Sequence, residues 1–419
     1  MSSTASGAEP ANNPALPAQA AHEHVAVIES REEYLAACAA IAAGTGPIAI
    51  DAERASGYRY SQRAYLVQIF RTGAGTFLFD PPAIGSFTEL NDIIAPEEWI
   101  LHAASQDLTC LREIGLHPTR LYDTELAARL AGLPRVGLGT VVEELLGIHL
   151  AKEHSAADWS TRPLPQSWLV YAALDVELLV QLRSALGDLL EKAGKTHIAE
   201  QEFASVLARD FTVVRHDPWR RLTGLHTIRS PRNLAVAREL WLARDAYARE
   251  IDTAPGRLVP DLSLSTAARV LPASKRELAA LKEFTGRASR TQLDRWWAAI
   301  EVGLATDDLP SLRVQTDSIP QPRSWADKNP EADKRLKAAR SALQIVATDL
   351  EIPLENVLTP ETLRRVAWTP PSPGDSESIA RMLEGLGARP WQIDATAQQI
   401  NQAFVDAAQE SDSVEEIPS

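Results

Sequence analysis

Short apolar runs dominate the first half of the chain and helical spacing dominates the second. Residues 47–51, Pro-Ile-Ala-Ile-Asp, form a short run that ends on a carboxylate. Residues 64–70 and 76–80 are β-like after short breaks, and 99–102 is another such run. Helical spacing follows at 107–114, 124–130, 138–146 and 166–190. Consecutive strands followed by helices predict an α/β or α+β domain over residues 25–205. Beyond residue 211 the strand signals fade. Segments 233–251, 263–271, 275–284 and 291–304 carry helical spacing between Pro- and Gly-bearing turns, which predicts a small bundle over 215–304. An Asp-, Ser- and Pro-rich stretch then reads as a linker over 307–325. A second helical block follows over 326–408, interrupted by a loop at 368–375, and an acidic tail over 409–419. Residues 1–22, rich in Ala, Pro, Asn and Ser without periodicity, read as a disordered arm.

The 419 residues exceed one ordinary core, so several domains are expected. No stretch approaches the roughly 18 apolar residues of a membrane helix, and the N-terminus lacks the order of a signal peptide. The two cysteines, Cys38 and Cys110, have no paired metal-type spacing, which disfavours a disulfide scaffold or a zinc site and points to a reducing cytoplasm. The net charge of −14 argues against a nucleic-acid binder until its distribution is considered. Between Arg215 and Ile300 there are sixteen Lys and Arg against nine Asp and Glu, a local net of about +7. Such a basic surface suits either phosphate contacts or plain solvation.

Asp51 and Glu53 end the first strand in Ile-Ala-Ile-Asp-Ala-Glu, where a period of two puts both carboxylates on one face. Like charges that close are costly unless a cation lies between them, and oxygen donors suit hard divalent ions. The triplet is also common without any such role. Asp107, in Leu-His-Ala-Ala-Ser-Gln-Asp-Leu, falls where a helix should begin, as a cap does. Tyr171 and Asp175, in Val-Tyr-Ala-Ala-Leu-Asp-Val, are four apart and share a helix face. The tyrosine could polarise a water beside a metal held by the aspartate, or simply pack on the sheet.

Taken in order, Asp-X-Glu on a strand, Asp at a helix start and Tyr-X-X-X-Asp on a later helix resemble the DEDD exonucleases in their tyrosine variant. Three flanking stretches narrow this to a resemblance to the ribonuclease D family over residues 25–205. They are Tyr65-Leu-Val-Gln-Ile69, His102-Ala-Ala-Ser-Gln-Asp107 and Asp158-Trp-Ser-Thr-Arg162-Pro-Leu leading into Tyr171 and Asp175. Downstream, Trp219-Arg-Arg-Leu-Thr-Gly224, Leu234-Ala-Val-Ala-Arg-Glu-Leu240 and Val259-Pro-Asp261 look like an HRDC domain, a helical module. The block around 350–359 resembles a second, divergent copy.

The resemblance implies a ribonuclease-H-like exonuclease domain with a mixed central sheet, followed by all-α HRDC bundles. It also implies that Asp51, Glu53, Asp107 and Asp175 ligate two divalent ions, Mg²⁺ or Mn²⁺, while Tyr171 orients the attacking water. His102 and Arg162 are candidate nucleic-acid contacts, although Arg162 also suits a structural ion pair. The expected activity is 3′→5′ hydrolysis of RNA with a free 3′ end to 5′-mononucleotides, with tRNA precursors as the expected partner and no membrane. A DNA exonuclease and a non-catalytic HRDC scaffold are the alternatives; the scaffold would be expected to have lost a carboxylate. One departure stands out: Arg54 follows Glu53 where relatives usually carry an aromatic residue.

Overall fold

The computed structural model describes residues 26–150, 156–212, 216–312 and 319–415. The expected disordered arm lies outside the described residues. A six-stranded mixed sheet organises the first domain. Its strands are β1 (Val27–Ile28), β2 (Thr45–Arg54), β3 (Ala64–Thr72), β4 (Gly75–Phe79), β5 (Glu98–Leu101) and β6 (Arg120–Asp123), in the order β1-β4-β3-β2-β5-β6. β3 runs antiparallel to β2 and β4, while β5 and β6 continue parallel to β2. Because β2, β5 and β6 are parallel, their C-terminal ends share one edge, where ligands of open α/β sheets collect.

β2 is central, and its Ile48, Ala49 and Ile50 are fully buried, which explains the continuous apolar run that betrayed it. One face of the sheet packs on Tyr34, Ile41, Phe87, Leu90 and Leu111. Ala49, Ile100 and Tyr122 join the other core with Val141, Leu182 and Leu186. The short edge strands β1 and β6 and the helices Arg31–Ala43 and Thr196–Ala208 were not foreseen. The first of these helices starts at a capping box in which Ser30 and Glu33 satisfy each other's backbone.

The single helical stretch expected over 166–190 is two helices, Gln166–Glu177 and Leu179–Lys192. The first lies across β2, β3 and β4; the second packs on Thr124–Leu130 and Leu138–Leu146. Two apolar stripes facing different partners cannot lie on one straight helix, so the chain turns at Leu178.

Downstream, Pro231–Glu250 and Leu293–Ala305 form the backbone of a helical unit. They approach closely at Gly303, where a Cβ would stand 2.6 Å from the Val236 Cα. The last unit is built on Pro330–Asp349, Pro360–Trp368, Ser376–Gly385 and Pro390–Glu415. Three features differ from the sequence expectation. Trp325, assigned to the linker, is fully buried against Trp368, so the last unit begins before residue 326. Pro390–Glu415 carries helix into the acidic tail. The last unit also shares a core with the first domain: Ile352, Val357 and Trp391 pack with Phe203 and Leu190, and Arg389 pairs with buried Glu202 at 2.6 Å.

Candidate active site

β2 delivers Asp51 and Glu53 to one face, opposite Gln68 and Leu66 of β3. Helix Gln166–Glu177 crosses that face and brings Asp175 to them. One oxygen of each of these three carboxylates lies within 4.8 Å of the others. Tyr171, one turn earlier, donates its hydroxyl to Asp175.

Asp107 arrives from the end of β5. It occupies the cap position of helix Leu108–Glu113 but makes no side-chain cap hydrogen bond. Asp107 is 6% exposed and its carboxylate faces the cluster instead, with Arg54 Nη2 3.5 Å from its Oδ1. The helix-cap alternative is therefore set aside for this residue. The loop carrying Asp107 is pinned by Asp123, which sequence reasoning did not single out. Asp123 accepts from the amides of Ala103 and Ala104 at 3.0 and 2.9 Å, and also from Glu125 and Leu126 at the next helix start. Ala103 sits at φ 62°, a strained left-handed conformation for a residue with a Cβ, and these bonds hold it there. The only signal available was an Asp directly before a predicted helix.

Electrostatically the cluster is frustrated. Burial, then Asp51, Asp175 and Asp107, push the Glu53 carboxyl up to about 10. Asp107 and Asp175 are raised well above the carboxylate range by burial and then by Asp51, and burial raises Asp51 too. Burial, then Asp175 and Glu53, raise the Tyr171 phenol, which keeps it protonated. Four hard oxygen donors that repel one another and have their charged forms disfavoured match what a divalent cation needs and relieves. The residues therefore fit the metal that the motif implies.

The cluster floors a cavity of about 760 Å³, walled by Arg54, Ser56, Gly57, His102 and residues 137–140. His102 Nδ1 lies 2.9 Å from Thr124 Oγ1, and burial lowers its pKa to about 4, so the ring is neutral. Arg162 is not on the wall. Its Nε meets Asp80 at 2.6 Å, and its Nη atoms donate to the carbonyls of Trp159, Thr161 and Tyr65 at 2.8 Å. The phosphate-contact expectation gives way here to the structural ion pair, because this guanidinium is committed to the protein.

The rim loop after β2 is held from outside the first domain. Asp252, beyond helix Pro231–Glu250, accepts from the amides of Tyr60 and Ser61 at 3.1 and 2.8 Å and from the Tyr65 hydroxyl at 3.1 Å. Arg257 donates to the Gly57 carbonyl at 2.7 Å and lies over the Tyr58 ring.

A mixed sheet with a buried carboxylate cluster at the C-terminal edge of its central strand, and a tyrosine beside it, defines a 3′→5′ exonuclease. Family comparisons agree: residues 25–191 match the model described as 3'-5' exonuclease, 233–300 the HRDC domain and 318–404 the 3' to 5' exonuclease C-terminal domain. The chain is 31% identical to ribonuclease D of a Jannaschia species, over 72% of this chain and 78% of that one. It is also 31% identical to ribonuclease D of Escherichia coli, over 74% and 80%. The chain belongs to the ribonuclease D family and is a 3′→5′ exoribonuclease. Among solved structures, a protein from Bifidobacterium adolescentis superposes with a TM-score of 0.84 at 36% identity, covering 90% of this chain and 96% of that one. The E. coli ribonuclease D structure superposes at 0.66 and 26% identity, covering 92% and 99%.

Proposed function

We propose that Asp51, Glu53, Asp107 and Asp175 hold two divalent ions, Mg²⁺ or Mn²⁺, and that the enzyme shortens RNA from its 3′ end to release 5′-mononucleotides. The observation that carries this reading is the convergence of four mutually repelling carboxylates on one cavity. Bound there, the ions would supply water activation and neutralise charge on the phosphate and the departing oxygen. The chain's own residues do the rest. Tyr171, protonated and anchored by Asp175, orients the attacking water. His102, neutral and fixed by Thr124, contacts the terminal nucleotide from the wall. No side chain becomes covalently attached.

The substrate we favour is structured RNA, with tRNA precursors foremost. The E. coli relative's structure is described as that of an exoribonuclease involved in structured RNA processing. The basic HRDC unit, taken as residues 215–304, adds phosphate contacts that do not read bases. The last helical unit, 326–408, is read as a second, divergent HRDC-like bundle, and its packing on the exonuclease core through Trp391 and Arg389 supports a bracing role for it. Among the described residues no helix is long and apolar enough to cross a membrane, and both cysteines are buried free thiols, which suits a reducing cytoplasm.

The test is to incubate the protein with 3′-extended tRNA, single-stranded RNA and single-stranded DNA, in Mg²⁺, Mn²⁺ or EDTA. Stepwise metal-dependent shortening of RNA is expected. Asp51→Asn should lower the rate at least about a thousandfold, since each ~1.4 kcal/mol of lost transition-state stabilisation is tenfold. Equal or faster shortening of DNA would overturn the RNA assignment.

A further inference from the structure

The four carboxylates divide into three and one. Asp51, Glu53 and Asp175 gather within reach of a single ion. Asp107 lies outside that group and is the member that Arg54 contacts, at 3.5 Å, although the Arg54 charge also reaches Asp51 and Glu53. The pairing of β2 with β3 slips between Glu53 and Arg54, which frees Arg54 from strict strand alternation.

Arg54 is not a saturated structural arginine. Its contact with Asp107, at 3.5 Å, is longer than a good hydrogen bond, and its Nε is buried without a partner. Arg162, with donors on four partners, shows what a committed guanidinium looks like here. Arg54 also lines the cavity, with its side chain 27% exposed. A loosely held guanidinium with spare donors, facing a site for a phosphodiester, is well placed to change partners.

We infer that Arg54 is an exchangeable partner: it lies against Asp107 in the free protein and moves to a substrate phosphate when a strand end enters. This rests on the metal-site reading above. The cation that Asp107 would share must displace a resident positive charge a few ångströms away, and like charges at that range repel strongly where water is scarce. The free protein therefore takes one divalent ion firmly, at Asp51, Glu53 and Asp175, and a second only weakly. An incoming phosphate draws Arg54 off Asp107 and opens the second position, so full loading of the site depends on substrate.

The experiment is Mn²⁺ binding to the full chain, by calorimetry and by electron paramagnetic resonance, without RNA and with an RNA whose 3′-terminal linkage is a non-cleavable phosphorothioate. The native protein should bind one Mn²⁺ at least tenfold more tightly than the second, and RNA should close that gap. Arg54→Gln should tighten the second ion at least tenfold without RNA and give the signal of coupled Mn²⁺ pairs. Arg54→Lys, which keeps the charge, should behave as the native chain. Two equally tight ions in the native protein, or an unchanged second affinity in Arg54→Gln, would overturn the role of Arg54 and leave the metal site standing. Absence of any Mn²⁺ binding in all three proteins would overturn both.

Discussion

Glu53 illustrates how the site is paid for in stability. Its carboxyl is pushed up to about 10, first by burial and then by Asp51, Asp175 and Asp107. In the unfolded chain a glutamate titrates near 4.3. Between those values the metal-free folded protein retains a proton that the unfolded chain releases. The unfolded state thus binds fewer protons, and stability falls as pH rises through this window. Glu53→Gln removes the effect. In EDTA the variant should melt above the native protein, with a difference that grows from pH 6 to pH 9. Thermal denaturation of both proteins at the two values checks this, and a difference that shrinks with pH would contradict the crowding described here. Adding Mg²⁺ should stabilise the native protein more than the variant, since the proposed metal site would lose one of its oxygen ligands in the variant. Residue order made these carboxylates legible in the sequence. Asp123 was not legible, because its task is to hold Ala103 and Ala104 in a turn, and a turn of this kind has no spacing of its own.

Among the elements, the Asp158–Leu164 run turned out to be architecture. Trp159 is fully buried against Trp168, and Arg162 ties the start of helix Gln166–Glu177 to Asp80 and to the Tyr65 carbonyl of β3. That helix carries Tyr171 and Asp175, so the run determines where they fall. Sequence reasoning found the run diagnostic but could not tell a phosphate contact from a buckle, because both need an arginine. Removing Arg162 would leave Asp80, 3% exposed, without its cation, and breaking such a pair costs about 3–5 kcal/mol. Arg162→Ala should therefore lower the melting temperature by about 5 °C or more, while the salt dependence of RNA binding stays native. A native melting temperature with a shallower salt dependence would restore the phosphate-contact role. The strand and helix pattern was legible wherever one face was apolar. The split at Leu178 was hidden because both helices are apolar on the side they bury, and only their partners differ.

Across the whole molecule, charge and contact divide the work. A chain with net charge −14 concentrates positive charge on its HRDC unit, whereas its last unit is joined to the exonuclease core through Trp391 and the Arg389–Glu202 pair. Linear segments could be read from sequence as separate units; their shared surfaces could not, since contacts about 190 residues apart leave no local trace. Asp252→Ala tests the joint at the cavity rim. It removes the acceptor for Tyr60 N, Ser61 N and Tyr65 Oη, and should raise KM for RNA several-fold while Mn²⁺ affinity stays native. Steady-state kinetics alongside metal titration separate the two, and an unchanged KM would mean the rim loop stands without help.

The grip of Asp252 and Arg257 on residues 57–65 bears on how such enzymes can be rearranged. The gripped loop begins only a few residues after Glu53, so the surface of the HRDC unit and the rim of the cavity are matched parts. A helical module grafted from another protein would bring its own basic face but not an acceptor at this spot. Swapping modules should therefore transplant affinity for nucleic acid without transplanting a finished active-site entrance, and successful chimaeras should be those that exchange the loop and the module together.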